Sequence, residues 1–283
     1  MELRMYKPLL LVISLDSLHL CLSFLQPSML QAIAIDNLVL LSNTNCAYAE
    51  IAYNMVLSLH KFNVTNYLVI AEGESAHQYL IARNINAALS PAKHVESKVH
   101  DFNSRGWITF MSARPRYLLH VVSLGFSAAW IDSDAFFFKN PVPFLQGAAD
   151  VILADDTGKR PDNGASVIYY CGCFLRFRPT PYSVRVLELW INHQEKNMGL
   201  NDQIVLNKKV IPKLMGPNQR LPPNLHILPQ ELFPSGRLFE LLRGSSAPAW
   251  YHANWMLGKD KKLYELKAHG SWLVPGAQAC SAQ

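Results

Sequence analysis

Charged residues are scarce in this chain of 283 residues: they make up 17% of it, while half of the residues are hydrophobic. This balance excludes an intrinsically disordered protein, which has fewer apolar residues and more charge. Glycine and cysteine are also few, with 14 and 5 residues, which excludes a collagen and a disulfide-stapled miniprotein. Mixed periodicity excludes a coiled coil. Only one stretch approaches the length of a membrane span, so the sequence indicates one large globular domain rather than a polytopic membrane protein.

The net charge of +5 is mild and forms no long basic stripe, so we expect no nucleic-acid partner. Part of the excess lies near the C-terminus, where the lysines form either a solvated face or a cluster that meets an anionic ligand. Five cysteines cannot all pair within the chain. Cys171 and Cys173 lack a second Cys/His pair at zinc-site spacing and are interpreted as packing residues. A sequon begins at Asn63 and would be usable in the secretory pathway.

Residues 1–35 form a separate N-terminal segment. Two basic residues precede an apolar run over residues 9–25, as in a signal peptide or a single-span membrane anchor. Asp16 and His19 interrupt this run, and a charge at the bilayer centre is costly, so an amphipathic leader is an equal alternative. If the run is an anchor, its positive flank stays in the cytosol and the remaining chain is lumenal.

Residues 36–283 have the pattern of a single α/β domain. Apolar strands at residues 37–41 and 67–70 alternate with helical periodicity at residues 51–59 and 75–84, which predicts parallel strands joined by crossover helices. Three later segments read as buried strands, namely residues 127–131, 150–154 and 167–177. Helices are predicted after a cap at Ser112, after Thr180-Pro181 and over residues 202–210, whereas residues 215–248 are Pro-rich and loop-like.

The segment most informative about chemistry is Asp132-Ser133-Asp134, which follows directly on a buried strand. Carboxylates two residues apart on an extended chain point to the same side, and two hard oxygen ligands suit a divalent cation that also holds substrate phosphates. Ligands of open α/β sheets bind at the carboxyl ends of the strands. Such a cation neutralises a departing diphosphate.

A bare D-x-D motif is common, and a solvated turn is its ordinary explanation. The apolar strand before it and Phe136 to Phe138 after it favour a buried site. A phosphohydrolase that uses the two acids as nucleophile and general acid is a weaker alternative. That chemistry usually has a small residue where Phe136 stands, and its motif lies in the first strand of the domain.

Four segments together resemble the nucleotide-diphospho-sugar transferase domain, the group that contains glycosyltransferase family 77 of plants and algae. The first is the helix, strand and D-x-D run over residues 116–141, and the second is the strand over residues 169–180 that ends in Arg-Pro-Thr. The others are Asn201-Asp202-Gln203, and a C-terminal element with His252, Asn254, Trp255, Gly258 and Lys262. Their order and spacing match from about residue 36 to 270.

The resemblance implies a GT-A fold, a Rossmann-like mixed sheet flanked by helices, with a nucleotide-diphosphate sugar donor and Mn²⁺ or Mg²⁺. By position, Asp132, Asp134 and His252 would be the metal ligands, and Ser133 and Gly258 would border the donor. Lys262 or its neighbour Lys261 would neutralise the diphosphate. The ordinary alternatives are a core histidine and solvent-facing lysines.

The remaining candidates also have ordinary alternatives. By resemblance, Asp202 and Gln203 are catalytic candidates beside an acceptor-side Asn201, although Asp202 would serve equally as a helix cap. Asn43 and Thr44 follow the first strand, where nucleotides commonly bind. The donor-side or acceptor-side candidates that are equally plausible as surface charges or turn residues are Arg114, Arg116, Asp155 and Asp156.

The expected function is therefore a metal-dependent glycosyltransferase that retains anomeric configuration, in the Golgi or elsewhere in the secretory pathway. A UDP-sugar is the expected donor. The resemblance implies a glycan or glycoprotein acceptor. Cell-wall polysaccharides and hydroxyproline-rich glycoproteins are the acceptor classes to test first. A non-catalytic nucleotide-sugar-binding relative with the same fold is the alternative.

Overall fold

The computed structural model describes residues 24–91, 99–157, 168–216, 220–242, 247–276 and 279–280. Most of the apolar N-terminal run lies outside these residues, as does Cys21. Within the described part of the chain, none of the helices is both long enough and apolar enough to cross a membrane.

The strands within these residues are numbered in chain order. They are β1 Leu38–Thr44, β2 Tyr67–Ala71, β3 Ala87–Leu89, β4 Ser127–Ile131, β5 Ala135–Phe137, β6 Val151–Asp155, β7 Tyr170–Phe177, β8 Leu225–Ile227 and β9 Trp250–His252. The helices are α1 Pro27–Ile33, α2 Ala49–His60, α3 Glu74–Ile81, α4 Arg105–Met111, α5 Arg114–Ser123, α6 Pro181–Lys196, α7 Asp202–Val205, α8 Ile211–Leu214, α9 Gly236–Leu242 and α10 Lys259–Ala268.

Seven strands form one mixed sheet in the order β3-β2-β1-β4-β7-β6-β8. The first four in this order run parallel, as the alternation of strands and helices predicts. Strand β7 is antiparallel to both β4 and β6, so the direction changes in the middle of the sheet. The carboxyl end of β4, where the D-x-D motif begins, therefore lies at the centre of the sheet.

Both faces of the sheet are covered, because successive side chains of a strand point to opposite sides. In β1, Val39 and Leu41 pack into one core together with helices α5 and α6. Leu38 and Leu40 pack into a second core together with helices α2 and α3. The whole of β1 is buried, which is typical of a central strand in a parallel sheet.

A two-stranded antiparallel ribbon stands beside the main sheet. It pairs β5 with β9, and Ala135 lies opposite His252. Phe136 and Tyr251 anchor the ribbon in a third apolar cluster with Phe239 of α9. This pairing brings a segment near residue 252 against the D-x-D motif.

The sequence predictions for the elements are largely confirmed, with three corrections. Ser112 does not cap α5: it ends α4, and its hydroxyl donates to the Ile108 carbonyl, because the two helices almost abut. The helix predicted over residues 202–210 continues through a π-helical turn to Leu214. The loop-like segment over residues 215–248 contains the short elements β8 and α9, which its prolines conceal.

The end of the N-terminal segment packs with the domain. Leu25 and Leu30 are fully buried in the same core as β1, and the Leu25 carbonyl lies 3.1 Å from Nε2 of His120. Near the other end of the chain, Cys280 forms a disulfide with Cys46. Leu25, Leu30 and Cys280 are thereby joined to the α/β body.

Candidate active site

The two aspartates of the D-x-D motif are held by the strands around them. The backbone N–H of Asp132 donates to the Cys173 carbonyl at 2.8 Å, which continues the pairing of β4 with β7. A turn follows, in which the N–H of Ala135 donates to the Asp132 carbonyl at 3.1 Å. The Asp134 carbonyl accepts from the N–H of Ala253 at 3.1 Å. Both carboxylates thus lie between the main sheet and the ribbon.

His252 reaches this motif through the ribbon, although it lies 118 residues from Asp134 in the chain. Its Nε2 is 3.1 Å from Oδ1 of Asp134 and 3.8 Å from Oδ2 of Asp132. One ligand atom from each of these three residues lies within 4.8 Å of the others. The geometry thus brings together the three residues that the sequence analysis identifies as metal ligands.

Lys262 of α10 completes this cluster by pairing with Oδ2 of Asp134, and it also donates to the Ala253 carbonyl at 2.9 Å. Burial alone would raise the pKa of the Asp134 carboxyl, but the charges of Lys262 and His252 hold it well below its usual range. Burial alone would lower the pKa of His252, but the charge and hydrogen bond of Asp134 raise it above its ordinary value. Asp134 is therefore ionised at neutral pH.

Arg114 lies beside the other aspartate and is buried rather than part of a charged surface. Its Nη2 donates to Oδ1 of Asp132 at 3.0 Å, and the indole of Trp130 donates to the same oxygen at 2.9 Å. Its Nη1 is 3.3 Å from Oδ2 of Asp202, an ion-pair distance without hydrogen-bond geometry. The guanidinium thus links the D-x-D motif to Asp202.

Asp202 is only 1% exposed, and Asn201 rather than Asp202 caps α7 by accepting from the N–H of Ile204 at 2.8 Å. The indole of Trp190 fixes the start of this helix by donating to the Asp202 carbonyl at 3.0 Å. Burial raises the pKa of Asp202 to about 6, more than the Arg114 charge lowers it. Asp202 is therefore not the ordinary helix cap that its sequence position would allow.

Gln203 and Asp156 continue the network away from Arg114. The Gln203 side chain accepts from the N–H of Gly172 at 3.0 Å and donates to Oδ2 of Asp156 at 2.9 Å. Oδ1 of Asp156 accepts from Asn254 at 2.6 Å and from Trp255 at 3.2 Å. Burial raises the pKa of Asp156 despite these three hydrogen bonds and the His252 charge. Asp156 is a buried hub rather than a solvated turn residue.

An open cavity lies above the D-x-D motif. Asn43 and Thr44, which follow the apolar part of β1, line it together with Ser133 and Lys262. The sequence does not single out the apolar and aromatic residues of the wall, which are Tyr48, His100, Trp107, Phe110 and Met111. They come from loop and short-helix segments, where apolar residues have no strand or helix periodicity that would single them out.

Several candidates lie apart from this cavity. Arg116 pairs with Glu195 at 2.8 Å, and both side chains are substantially exposed. Lys261 is exposed, and Gly258 precedes α10 with a φ of 86°. Asp155 closes a turn by accepting from the N–H of Thr157 at 2.7 Å. Asn201 contacts Asn103 at 2.9 Å.

Cys171 and Cys173 are buried, as predicted for packing residues, but they are joined by a disulfide that the sequence analysis did not predict. Their sulfur atoms lie within 4.8 Å of a ring nitrogen of His252. They flank Gly172, so strand β7 passes next to His252, which is one of the candidate metal ligands.

The sequence model of the nucleotide-diphospho-sugar transferase family matches residues 63–266, well over half of the chain. The chain belongs to this family. All three candidate metal ligands fall within the matched range.

Curated proteins that are similar to this chain come from Arabidopsis thaliana. One, named UDP-D-xylose:L-fucose alpha-1,3-D-xylosyltransferase 3, is 26% identical over 67% of this chain and 54% of its own length. A second xylosyltransferase, MGP4, is 23% identical over 88% of this chain and 73% of its own length. A beta-arabinofuranosyltransferase, RAY1, is 24% identical over 83% of this chain and 47% of its own length. The chain therefore spans between about half and three quarters of these relatives.

Solved structures support the fold. An active-site Gln-to-Glu mutant of LgtC superposes with a TM-score of 0.51 at 13% identity, over 83% of this chain and 97% of that chain. The bifunctional glycosyltransferase WbbM has the same TM-score and identity, over 84% of this chain and 52% of that chain. The mixed seven-stranded sheet flanked by helices is a GT-A fold, as predicted.

Proposed function

We propose that this protein transfers a glycosyl group from a nucleoside-diphosphate sugar to a glycan or glycoprotein acceptor, with a divalent cation at the D-x-D motif. The observation that carries the proposal is the convergence of Asp132, Asp134 and His252, since the two aspartates also line an open cavity. The membership in the nucleotide-diphospho-sugar transferase family agrees with it.

The donor set fits Mn²⁺ or Mg²⁺. Nε2 of His252 lies 3.1 Å from Oδ1 of Asp134 and 3.8 Å from Oδ2 of Asp132, and two ligand atoms bound to one ion at about 2.1 Å can lie up to about 4.2 Å apart. Carboxylates suit both ions, and a nitrogen ligand suits the transition metal Mn²⁺ better than Mg²⁺, which takes oxygen ligands. When bound, the cation neutralises charge on the diphosphate as it departs.

The cavity walls suit the other parts of the donor. Tyr48 and Trp107 offer aromatic faces for a nucleobase, while Asn43 and Thr44 offer polar groups beside β1. The Lys262 ammonium pairs with Asp134 at the edge of the cavity, so in this proposal it also contacts a phosphate of the bound donor. Because the xylosyltransferase relatives are named for UDP-D-xylose, a UDP-sugar is the donor that we propose.

We expect transfer with retention of configuration. Support comes from the Asn201-Asp202-Gln203 match, since Gln203 links Gly172 of β7 to Asp156 beside the ribbon. In this proposal the side chains of Gln203, Asp202 and Asp156 lie beside the donor sugar. Proton NMR of the first product formed would give the anomeric configuration directly.

A location in the secretory pathway, such as the Golgi, agrees with two structural features. The Cys46–Cys280 disulfide belongs to an oxidising compartment. Asn63 of the sequon is exposed in the turn after α2, as the acceptor of a surface oligosaccharide has to be. Both features agree with a lumenal catalytic domain.

The decisive experiment incubates the purified full chain with a panel of nucleotide sugars, with and without MnCl₂, and measures nucleoside diphosphate release. We expect metal-dependent release from one UDP-sugar. We expect Asp134→Asn to abolish this release while its circular dichroism spectrum shows that the fold is retained. Donor binding without turnover would instead support the non-catalytic relative. Phosphate release from a phosphomonoester alone would support the phosphohydrolase.

A further inference from the structure

Trp255 combines a strained backbone with an exposed side chain. Its φ is 62°, a left-handed conformation that is rare for a bulky residue. The side chain is 48% exposed, although burial of a tryptophan is strongly favourable. Strained residues persist only where their surroundings fix them, and they cluster at functional sites.

Three contacts fix Trp255 in this position. The side chain of the preceding Asn254 accepts from the N–H of Gly236 at 2.6 Å. The guanidinium of Arg237 lies over the indole ring, 3.8 Å from its centroid, where a cation is attracted to the ring face. The indole N–H donates to Oδ1 of Asp156 at 3.2 Å. One ring face and the N–H edge are therefore occupied, and the exposure belongs to the opposite face and the outer edge.

The location of Trp255 indicates which ligand this face would meet. The Asp156 carboxylate accepts from the indole on one oxygen and from Gln203 at 2.9 Å on the other. The indole is therefore linked through a single carboxylate to Gln203, a candidate catalytic residue. Trp255 is not among the described residues that line the donor cavity. Trp255 lies three residues after His252, beyond the end of strand β9 and therefore beyond the end of the ribbon.

We propose that, given the glycosyl transfer proposed above, the exposed face of Trp255 is the stacking platform for the ring of the acceptor sugar. A sugar ring presents C–H groups on one face and hydroxyls at its edge. The C–H face would pack on the face of the indole opposite the Arg237 guanidinium, and the hydroxyls would point outward from its edge. The ligand class is therefore a single aldose ring, free or at the end of a glycan.

Steady-state kinetics of Trp255→Ala and Trp255→Phe test this platform. The donor is UDP-xylose, and the acceptor probe is methyl α-L-fucoside, the sugars in the names of the xylosyltransferase relatives. We expect Trp255→Ala to raise the acceptor KM about 5- to 10-fold, and its rate of UDP-xylose hydrolysis without acceptor measures separately what the lost hydrogen bond to Asp156 costs. Trp255→Phe keeps a ring but lacks the N–H, so it should retain most of the acceptor affinity.

Leu257→Ala and Tyr264→Ala are matched controls, because both side chains are more exposed than Trp255, at 70% and 69%. They should leave the acceptor KM unchanged. An unchanged KM in Trp255→Ala overturns the platform, and so does a loss of UDP-xylose hydrolysis equal to the loss of transfer, which would indicate that Trp255 only positions Asp156.

Saturation-transfer NMR with methyl α-L-fucoside provides a readout that does not depend on turnover. Saturation of the sugar C–H protons that disappears in Trp255→Ala supports the platform even if the parent hydrolyses no nucleotide sugar. Saturation that persists in Trp255→Ala overturns it. A failure of the proposed function is thereby separated from a failure of the platform.

Discussion

Arg114 passes so close to Gly172 that a β-carbon at position 172 would lie 1.8 Å from Nη1 of Arg114. The guanidinium therefore uses the space that a missing side chain leaves in the middle of a buried strand. From there it reaches Asp132 at 3.0 Å and Asp202 at 3.3 Å. Glycine at this position is a requirement of the site and not of the strand, which glycine weakens.

Gly172→Ala should displace Arg114 and uncouple it from Asp132. We expect a loss of stability of about 1–3 kcal/mol from overpacking and a fall in transfer rate of about 100-fold, since a charged contact to the D-x-D motif is lost. Gly199→Ala is the matched control, because a β-carbon there meets nothing within 4 Å. Thermal melts and UDP-sugar turnover measure the two effects. Wild-type turnover in Gly172→Ala would mean that Arg114 is dispensable.

The position of the D-x-D motif could be predicted from the sequence because its causes are local. A strand of buried apolar residues, Ser127–Ile131, ends where the acids begin, and the structure has the same boundaries. The start of α6 after its cap Thr180 and the end of α5 shortly before Gly125 follow from capping chemistry in the same way. Each of these features depends on neighbours within a few residues.

The contacts of the site could not be derived in this way. His252 meets Asp134 only because β5 pairs with β9, across 118 residues, and family resemblance alone indicated it. Arg114 and Arg116 are equivalent in sequence, yet one is buried against Asp132 and the other pairs with Glu195 at the surface. Which of two helical arginines faces inward depends on the rotation of α5 against the sheet, a tertiary property.

The pKa of Asp202, about 6 in the folded state, predicts how stability depends on pH. The ordinary value is 3.8, so the folded protein holds a proton that the unfolded chain releases between these two pH values. This contribution is fully present below about pH 4 and is lost as the pH rises through about 6. It amounts to about 3 kcal/mol at most. Asp202→Asn, which stays neutral, should flatten the dependence in this window.

Chemical denaturation between pH 4 and 7 in EDTA measures this effect, because the chelator excludes metal binding at Asp132. The readout is the slope of the unfolding free energy with pH rather than its absolute value, since Arg114 loses a partner in the variant. Asp260→Asn changes an exposed carboxyl and should leave the slope as in the parent. Equal slopes in Asp202→Asn and the parent would assign an ordinary pKa to Asp202.

The disulfide between Cys46 and Cys280 joins residues 234 positions apart, and closing so large a loop restricts the unfolded chain strongly. Cys46→Ser should therefore lower the free energy of unfolding by about 2–5 kcal/mol. Cys280→Ser should have the same effect, and the double variant should be no less stable than either single one. Additive losses in the double variant would show that the two residues do not stabilise the fold through a shared bond.

Metal binding at the D-x-D motif can be measured without turnover. A cation that binds only the folded state stabilises it by about 2.7 kcal/mol at 100 times its dissociation constant. MnCl₂ should thus raise the melting temperature of the parent but not that of Asp134→Asn. Asp155→Asn is the control, because an Asn oxygen can still accept from the N–H of Thr157. A shift in Asp134→Asn equal to that of the parent would place the metal elsewhere.

Lys262 should compete with the metal for Asp134 in the absence of donor. Its ammonium pairs with the carboxylate that a cation would bind, and like charges so close together repel by several kcal/mol at a partly buried site. Lys262→Met should therefore bind Mn²⁺ about 10-fold more tightly while losing UDP-sugar turnover, because no ammonium would meet the diphosphate. Lys261→Met changes the exposed neighbour and should alter neither property. Isothermal titration with MnCl₂ decides the point, since weaker binding in Lys262→Met would show that the lysine orders Asp134 for the metal rather than competing with it.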